Sequence, residues 1–195
     1  MANPKFSGEP QTQWLTEKGG PDRNMKLLEQ FWFDDGRGTT WDAPEGSIID
    51  GASIPKPLWG LVGSPFTGDY RRASIVHDIA CVAAVGDPAA RKAADKMFFR
   101  ACREGGCGIR EAIILYIGVR IGAQWDSKML QAEQDTVLVR ETVVGESVRH
   151  DFEELADDVL AQGEVDDADV IEKRVDDSVL RLHARKALIS EKSLL

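Results

Sequence analysis

The segment that most limits the possible folds is residues 70–106, where two helical patterns meet at Val85-Gly86-Asp87-Pro88. Glycine suits the C-terminal cap of a helix, and Asp-Pro suits the N-cap and first position of the next. The spacing predicts one small-residue helix over 70–84 and a second from Pro88 to the paired glycines Gly105 and Gly106. So short a link makes the two antiparallel. His77 lies eight residues before Val85 and Asp95 seven after Pro88. At a rise of about 1.5 Å per residue the two stand at nearly the same height and face each other across the helix pair. Asp78 projects about 100° further round the first helix, toward a different neighbour.

This layout has a chemical use. A carboxylate on one imidazole nitrogen fixes the tautomer and leaves the other nitrogen as a general base, with His77 the base and Asp95 its partner. A second carboxylate, Asp78, suits a hard cation such as Ca2+, which needs several oxygen ligands. The loop "DGASIP" at 50–55 offers Asp50 and backbone carbonyls around Gly51 to complete it. Together these make a base-plus-Lewis-acid site for attack of water on an ester. The same geometry equally serves a structural pair, in which His77 and Asp95 satisfy each other and lock two helices in register.

The flanking sequence gives an α+β expectation. "KLLEQFWFDD" and "DGRGTTW" read as strand, turn and short strand, forming a small N-terminal antiparallel β-sheet. Residues 53–69, with Pro55, Pro57, Pro65 and Trp59, read as ordered loop. "IREAIILYIGVRIGAQW" supplies a third core helix with Ile113, Ile117 and Ile121 on one face, and Gly118 and Gly122 close to that stripe permit tight packing. Beyond it "TVLVRETVV" reads as a strand or an extended connector. Two amphipathic helices follow around Gly163, one carrying Val148, Phe152, Leu155 and Val159, the other Ile171, Val175, Val179 and Leu182.

Charge divides the chain. Residues 1–125 hold 15 acidic and 15 basic side chains, whereas 126–195 hold 18 and 9, so the whole net charge of −9 lies in the second part. We therefore expect an α+β domain over 1–125 and an acidic helical extension over 126–195. The extension is either a hairpin folded on its own core or an arm for a protein partner or self-association through residues 146–190. Nucleic acid is not an expected partner. The apolar run "AIILYIGV" is too short to span a bilayer, and no basic-then-apolar signal precedes the fold. Cys81, Cys102 and Cys107 lack a CxxC spacing and read as reduced buried thiols. A Cys-His nucleophile at Cys81 calls on His150 or His183 of the tail. Arg71 and Arg72, beside Tyr70, read as a solvated helix start.

The segments "FSGEPQTQWL", "FWFDD", "APEGSIIDGASIPKPLWGLVG", "YRRASIVHD", "AADKMFFRACREGG" and "GVRIGAQW" resemble domain-of-unknown-function family 1353 over about residues 5–125. That resemblance implies a phage or prophage origin and carries no activity with it. A looser similarity is to bacterial secreted phospholipase A2, in which a calcium loop precedes a His-Asp helix and an antiparallel helix carrying an aspartate. It implies His77 as base, Asp95 as the residue orienting it, Asp78 as calcium ligand and Gly51 as part of the loop. The chain departs from it at Cys81, where a tyrosine is usual, and in lacking the disulfides. Two expectations follow: a phage-associated hydrolase with a His-Asp, Ca2+-assisted site on an ester or lipid, or a non-enzymatic virion or host-interaction protein whose His-Asp pair is structural. Either places the protein in the host cytoplasm or the virion.

Overall fold

The computed structural model describes residues 2–16, 24–51, 54–63, 68–132 and 137–192. The N-terminal part is antiparallel β structure in two three-stranded sheets. One joins β1 (Lys5–Phe6), β4 (Phe31–Asp34) and β5 (Thr40–Ala43), with β4 central. The other joins β2 (Thr12–Trp14), β3 (Met25–Leu27) and β6 (Ile48–Ile49) around β3. In β4 the alternation of "FWFD" buries Phe31 and Phe33 and leaves Trp32 and Asp34 half-buried, the signature of a sheet with one core face. Phe6 stacks on Phe31 across the first sheet, ring centroids 5.6 Å apart. The β4–β5 turn is held by Asp35, whose Oδ1 accepts from the amides of Arg37 and Thr39.

The expected α+β architecture is present, with helices following the sheets. A single 3-10 turn at Lys56–Leu58 runs into the short helix α1 (Trp59–Val62), so part of 53–69 is helical where the sequence reads as loop. Prolines at 55 and 57 pre-set the backbone dihedrals, and Trp59 Nε1 donates to the Ile54 carbonyl at 2.9 Å, closing the turn. Ser53 and Pro65 lie outside the described residues.

Helices α2 (Arg71–Ala83) and α3 (Pro88–Gly105) form the antiparallel pair that the Gly-Asp-Pro link demands. Gly86 sits at φ +83°, and the Asp87 carboxylate accepts from the amides of Ala89 and Ala90, both at 3.0 Å. This cap satisfies two helix-end donors that water alone otherwise serves, so Asp87→Ala is expected to cost about 1 kcal/mol, read as a lower urea midpoint with unchanged slope. At the other end Gly106 is left-handed and the Cys107 amide returns to the Cys102 carbonyl. Arg71 is exposed, as a solvated helix start requires, whereas the half-buried Arg72 pairs with Glu9 and lies over the Phe6 ring, tying α2 to the first sheet.

Helix α4 (Ile109–Ala132) buries Ile113, Ile117 and Ile121 on one face. Gly118 lets the Ile54 side chain approach to 3.6 Å from where a Cβ would stand. Residues 137–144, read as strand or connector, are instead the opening turns of α5 (Val137–Ala161). α5 and α6 (Ala168–Lys192) form a hairpin about Gly163, at φ +85°. The Asp167 side chain caps α6 through the Asp169 amide. Phe152, Leu155, Val159, Ile171, Val175 and Leu182 join the same buried cluster as the sheet and α2–α4. The hairpin is thus folded onto the body, and α6 lies along α3.

Candidate functional site

The two elements that the Gly-Asp-Pro link makes antiparallel bring His77 and Asp95 into contact. His77 Nε2 and Asp95 Oδ1 are 2.8 Å apart, and both side chains are 0% exposed. The Phe98 ring lies 4.7 Å from the imidazole. Asp95 is also met by Arg91 Nε at 3.1 Å from one helical turn earlier, and by Arg120 Nη1 at 3.4 Å from α4. Its carboxylate therefore receives three cationic or potentially cationic donors.

The network continues outward to the hairpin. Arg120 donates to Asp176 at 3.0 Å, and Lys92 joins Asp176 to Glu172. Lys96 reaches Asp169 and Glu172, and Arg103 makes two parallel bonds to Asp166. Basic residues at helical spacing on α3 thus face an acidic stripe formed by α6 and the turn just before it. Lys96 and Arg37 hold the Asp169 carboxyl down at about 2. Part of the tail's surplus of acid is consumed within the chain, an assignment that charge counting leaves open.

Burial opposes a charge on His77, but the Cys81 sulfur and the Asp95 carboxylate outweigh it and push the ring up to about 9.

Asp78 turns away from this network, as its helical position requires, and meets the loop carrying Asp50. Its Oδ2 accepts from the Asp50 amide at 2.8 Å. Burial pushes the Asp78 carboxyl up to about 7, the Asp50 amide opposes that, and the Asp50 carboxyl beside it raises it further. Gly51 beside Asp50 is buried and at φ +99°, a left-handed conformation that favours glycine. The two carboxyl groups named as cation ligands are therefore together. Two adjacent carboxylates fit a hard cation in charge, because a cation relieves both the burial cost and the repulsion that raise the Asp78 carboxyl.

One neighbour of His77 was not anticipated. Cys81 Sγ is 3.4 Å from His77 Nε2, and the histidine beside Cys81 is one helical turn away instead of in the tail. His150 and His183 are exposed on α5 and α6. The i, i+4 spacing of His77 and Cys81 was the available signal. All three cysteines are free and buried. The Tyr116 hydroxyl, held up by burial and close enough to feel Arg120, Glu172 and Asp95, has no hydrogen-bond partner among the described residues.

Fold and site together define an α+β body with a docked helical hairpin and a buried His-Asp-Arg network at the α2–α3–α4 junction. Residues 25–119 match the model of a family described as protein of unknown function (DUF1353). Two proteins of Sinorhizobium fredii (strain NBRC 101917 / NGR234) are similar to part of the chain. The uncharacterized protein y4jT is 41% identical over 76 residues, 39% of this chain and 22% of its own length. The uncharacterized protein y4iH is 41% identical over 61 residues, 31% of this chain and 26% of its own. The chain thus spans about a quarter or less of the curated relatives it matches. No solved structure matches it. The family match contains His77, Asp78, Asp95, Asp50 and Gly51 and ends one residue before Arg120.

Proposed function

We propose that the chain is a non-enzymatic binding or assembly protein of a phage or prophage, a virion or host-interaction component in which His77–Asp95 is structural. The observation that carries this reading is the 0% exposure of both groups, with Asp95 already receiving His77, Arg91 and Arg120. A general base must reach a water or substrate proton, and this ring faces Asp95, Cys81 and Phe98. The contact surface in this reading is the hairpin. Leu180 and Leu188 stand 67% and 60% exposed on the outer side of α6. A cleft of about 590 Å³ between α5 and α6 is lined by Glu154, Asp158, Arg181 and Arg185. The phage setting rests on the family resemblance drawn from the sequence, and with it the location in host cytoplasm or virion.

A second reading is kept because of the Asp50–Asp78 pair. In it the protein is a hydrolase in which those two carboxylates hold Ca2+ while His77, oriented through Nε2 by Asp95, serves as base through Nδ1 on an ester or lipid. One set of variants separates the two. On the first reading, His77→Asn lowers stability and no ester or phospholipid substrate is turned over by the wild type with or without Ca2+. Light scattering of the full chain shows self-association or partner binding that Leu180→Glu with Leu188→Glu abolishes. Ca2+-dependent hydrolysis by the wild type that disappears in Asp78→Asn, with folding intact, overturns the first reading in favour of the second.

A further inference from the structure

Cys81 does no chemistry in either reading above, yet it completes a cluster of three metal-ligating side chains. Its Sγ lies 3.4 Å from His77 Nε2, and the same nitrogen is 2.8 Å from Asp95 Oδ1. The three donor atoms all lie within 4.8 Å of one another, and Cys81, the most exposed of the three residues, is only 8% so. The sulfur is also 3.7 Å from Nδ1, so it lies against the ring beside both nitrogens. What marks the place is the convergence of a thiol, an imidazole and a carboxylate, three ligand types, within the buried α2–α3 interface.

We propose that His77 Nε2, Cys81 Sγ and Asp95 Oδ1 form a site for one Zn2+-like divalent transition-metal ion that ties α2 to α3. Imidazole, thiolate and carboxylate together are a zinc donor set, and hard cations such as Ca2+ do not favour sulfur. Bond lengths for that set give tetrahedral ligand–ligand edges of about 3.3–3.6 Å. The Cys81–His77 edge already has this length, and the His77–Asp95 edge reaches it by opening about 0.5 Å. Helix geometry prepares the first edge, since residues at i and i+4 share a face, the spacing that places two ligands on one helix in zinc sites. Antiparallel packing supplies the third ligand.

Arg91 Nε donates to the ligand oxygen Oδ1 itself at 3.1 Å and Arg120 Nη1 meets Oδ2 at 3.4 Å, and together they orient the carboxylate, as outer-shell partners of metal ligands do. Their charge also opposes a cation, and Asp176 takes up part of that of Arg120. With three protein ligands and this opposition, affinity is below that of a closed four-ligand site. The chemistry is exchange without oxidation. The imidazolium and the thiol each release one proton to solvent, and Zn2+ takes their place, so binding strengthens as pH rises.

This goes beyond both functional readings and holds whether or not the chain is an enzyme. The test is a Co2+ titration of the full chain after removal of metals with a chelator. The expected result is a near-ultraviolet sulfur-to-cobalt band with tetrahedral visible bands, saturating at one Co2+ per chain and lost on adding Zn2+. Cys81→Ser abolishes the near-ultraviolet band while far-ultraviolet dichroism is unchanged, although Cys102 and Cys107 remain. Asp78→Asn, which touches only the Asp50–Asp78 pair, leaves the band intact. Where Cys81→Ser does not fold, the wild type still decides: Zn2+ protects Cys81 from alkylation, located by peptide mass spectrometry. The absence of a cobalt–sulfur band in the wild type, its persistence in folded Cys81→Ser, or unprotected Cys81 in saturating Zn2+ overturns the proposal.

Discussion

Replacing Asp95 with alanine is expected to destabilise the chain by about 3–5 kcal/mol, the range for removing one partner of a buried charge network. In the wild type this wholly buried carboxylate receives His77 Nε2, Arg91 Nε and Arg120 Nη1. Alanine leaves those donors facing each other at a position from which water is excluded, and the cost is their desolvation and mutual repulsion more than the lost bonds. Arg120 still has Asp176, which softens one part of the loss. Asp95→Asn keeps the volume and one acceptor oxygen but removes the charge, so it falls between wild type and alanine. His77→Leu with Asp95→Leu recovers part of the loss by removing both members, the behaviour of a bolt. Urea unfolding at pH 7, followed by tryptophan fluorescence in the presence of chelator, measures all of these. A loss below about 1 kcal/mol for Asp95→Ala would mean that α2, α3 and α4 are held by apolar packing alone, and the structural reading of the pair would lose its basis.

The meeting of His77 and Asp95 was legible because every step toward it is local. A glycine cap, an Asp-Pro start and a link of a few residues fix an antiparallel pair, and helical rise then fixes which side chains stand level. Asp78 and Asp50 were legible for a weaker reason, a helical offset pointing toward a glycine-bearing loop. The arginines on Asp95 were not. Arg91 needs only the i, i+4 rule, but Arg120 depends on how α4 crosses the pair, which no local pattern states. Cys81 shows a different kind of miss: a search for a distant histidine passes over the one a turn away on the same helix.

The same division between local and distant causes explains the fold. β-branched residues in "TVLVRETVV" favour strand by propensity, yet the segment is continuous with "VRHDFEELADD", whose pattern is helical, and the backbone follows its neighbour. Local pattern marks strand within "KLLEQFWFDD" but reads it as one strand, whereas β3 and β4 divide it between two sheets, and it does not mark β1 or β2, whose pairing with β4 and β3 spans long stretches of chain. The tail's acidity set it apart from the rest of the chain and left open whether it folds back or docks a partner; Asp166, Asp169, Glu172 and Asp176 face α3. Net charge by segment says nothing of which basic residues on another helix lie opposite.

Stability should fall as pH rises from 6 to 9.5, the reverse of a protein held mainly by ionised carboxylates. Two buried groups set the sign. His77 is raised from 6.5 to about 9, so its charged form contributes fully below 6.5 and that contribution is lost as pH climbs through 9. Asp78 is raised from 3.8 to about 7, so its neutral form contributes fully below 3.8 and is lost through 7. From the sizes of the shifts His77 contributes on the order of 3 kcal/mol across this window and Asp78 about 1 kcal/mol, the rest of its effect falling below pH 6, and the two do not add because His77⁺ and Asp78⁻ attract as they titrate. Asp169, lowered to about 2, acts in the opposite sense only below pH 4, outside this window. Urea unfolding in chelator at pH 6, 7.5 and 9.5 reads the slope directly. Asp78→Asn, which keeps a neutral group on the Asp50 amide, is expected to gain stability at pH 7.5 and to flatten the lower half of the curve. His77→Asn flattens the upper half. A wild-type curve that is level or rising from pH 6 to 9.5 would show that the imidazole at this junction is neutral, and that Asp95 is charge-balanced by its arginines without it.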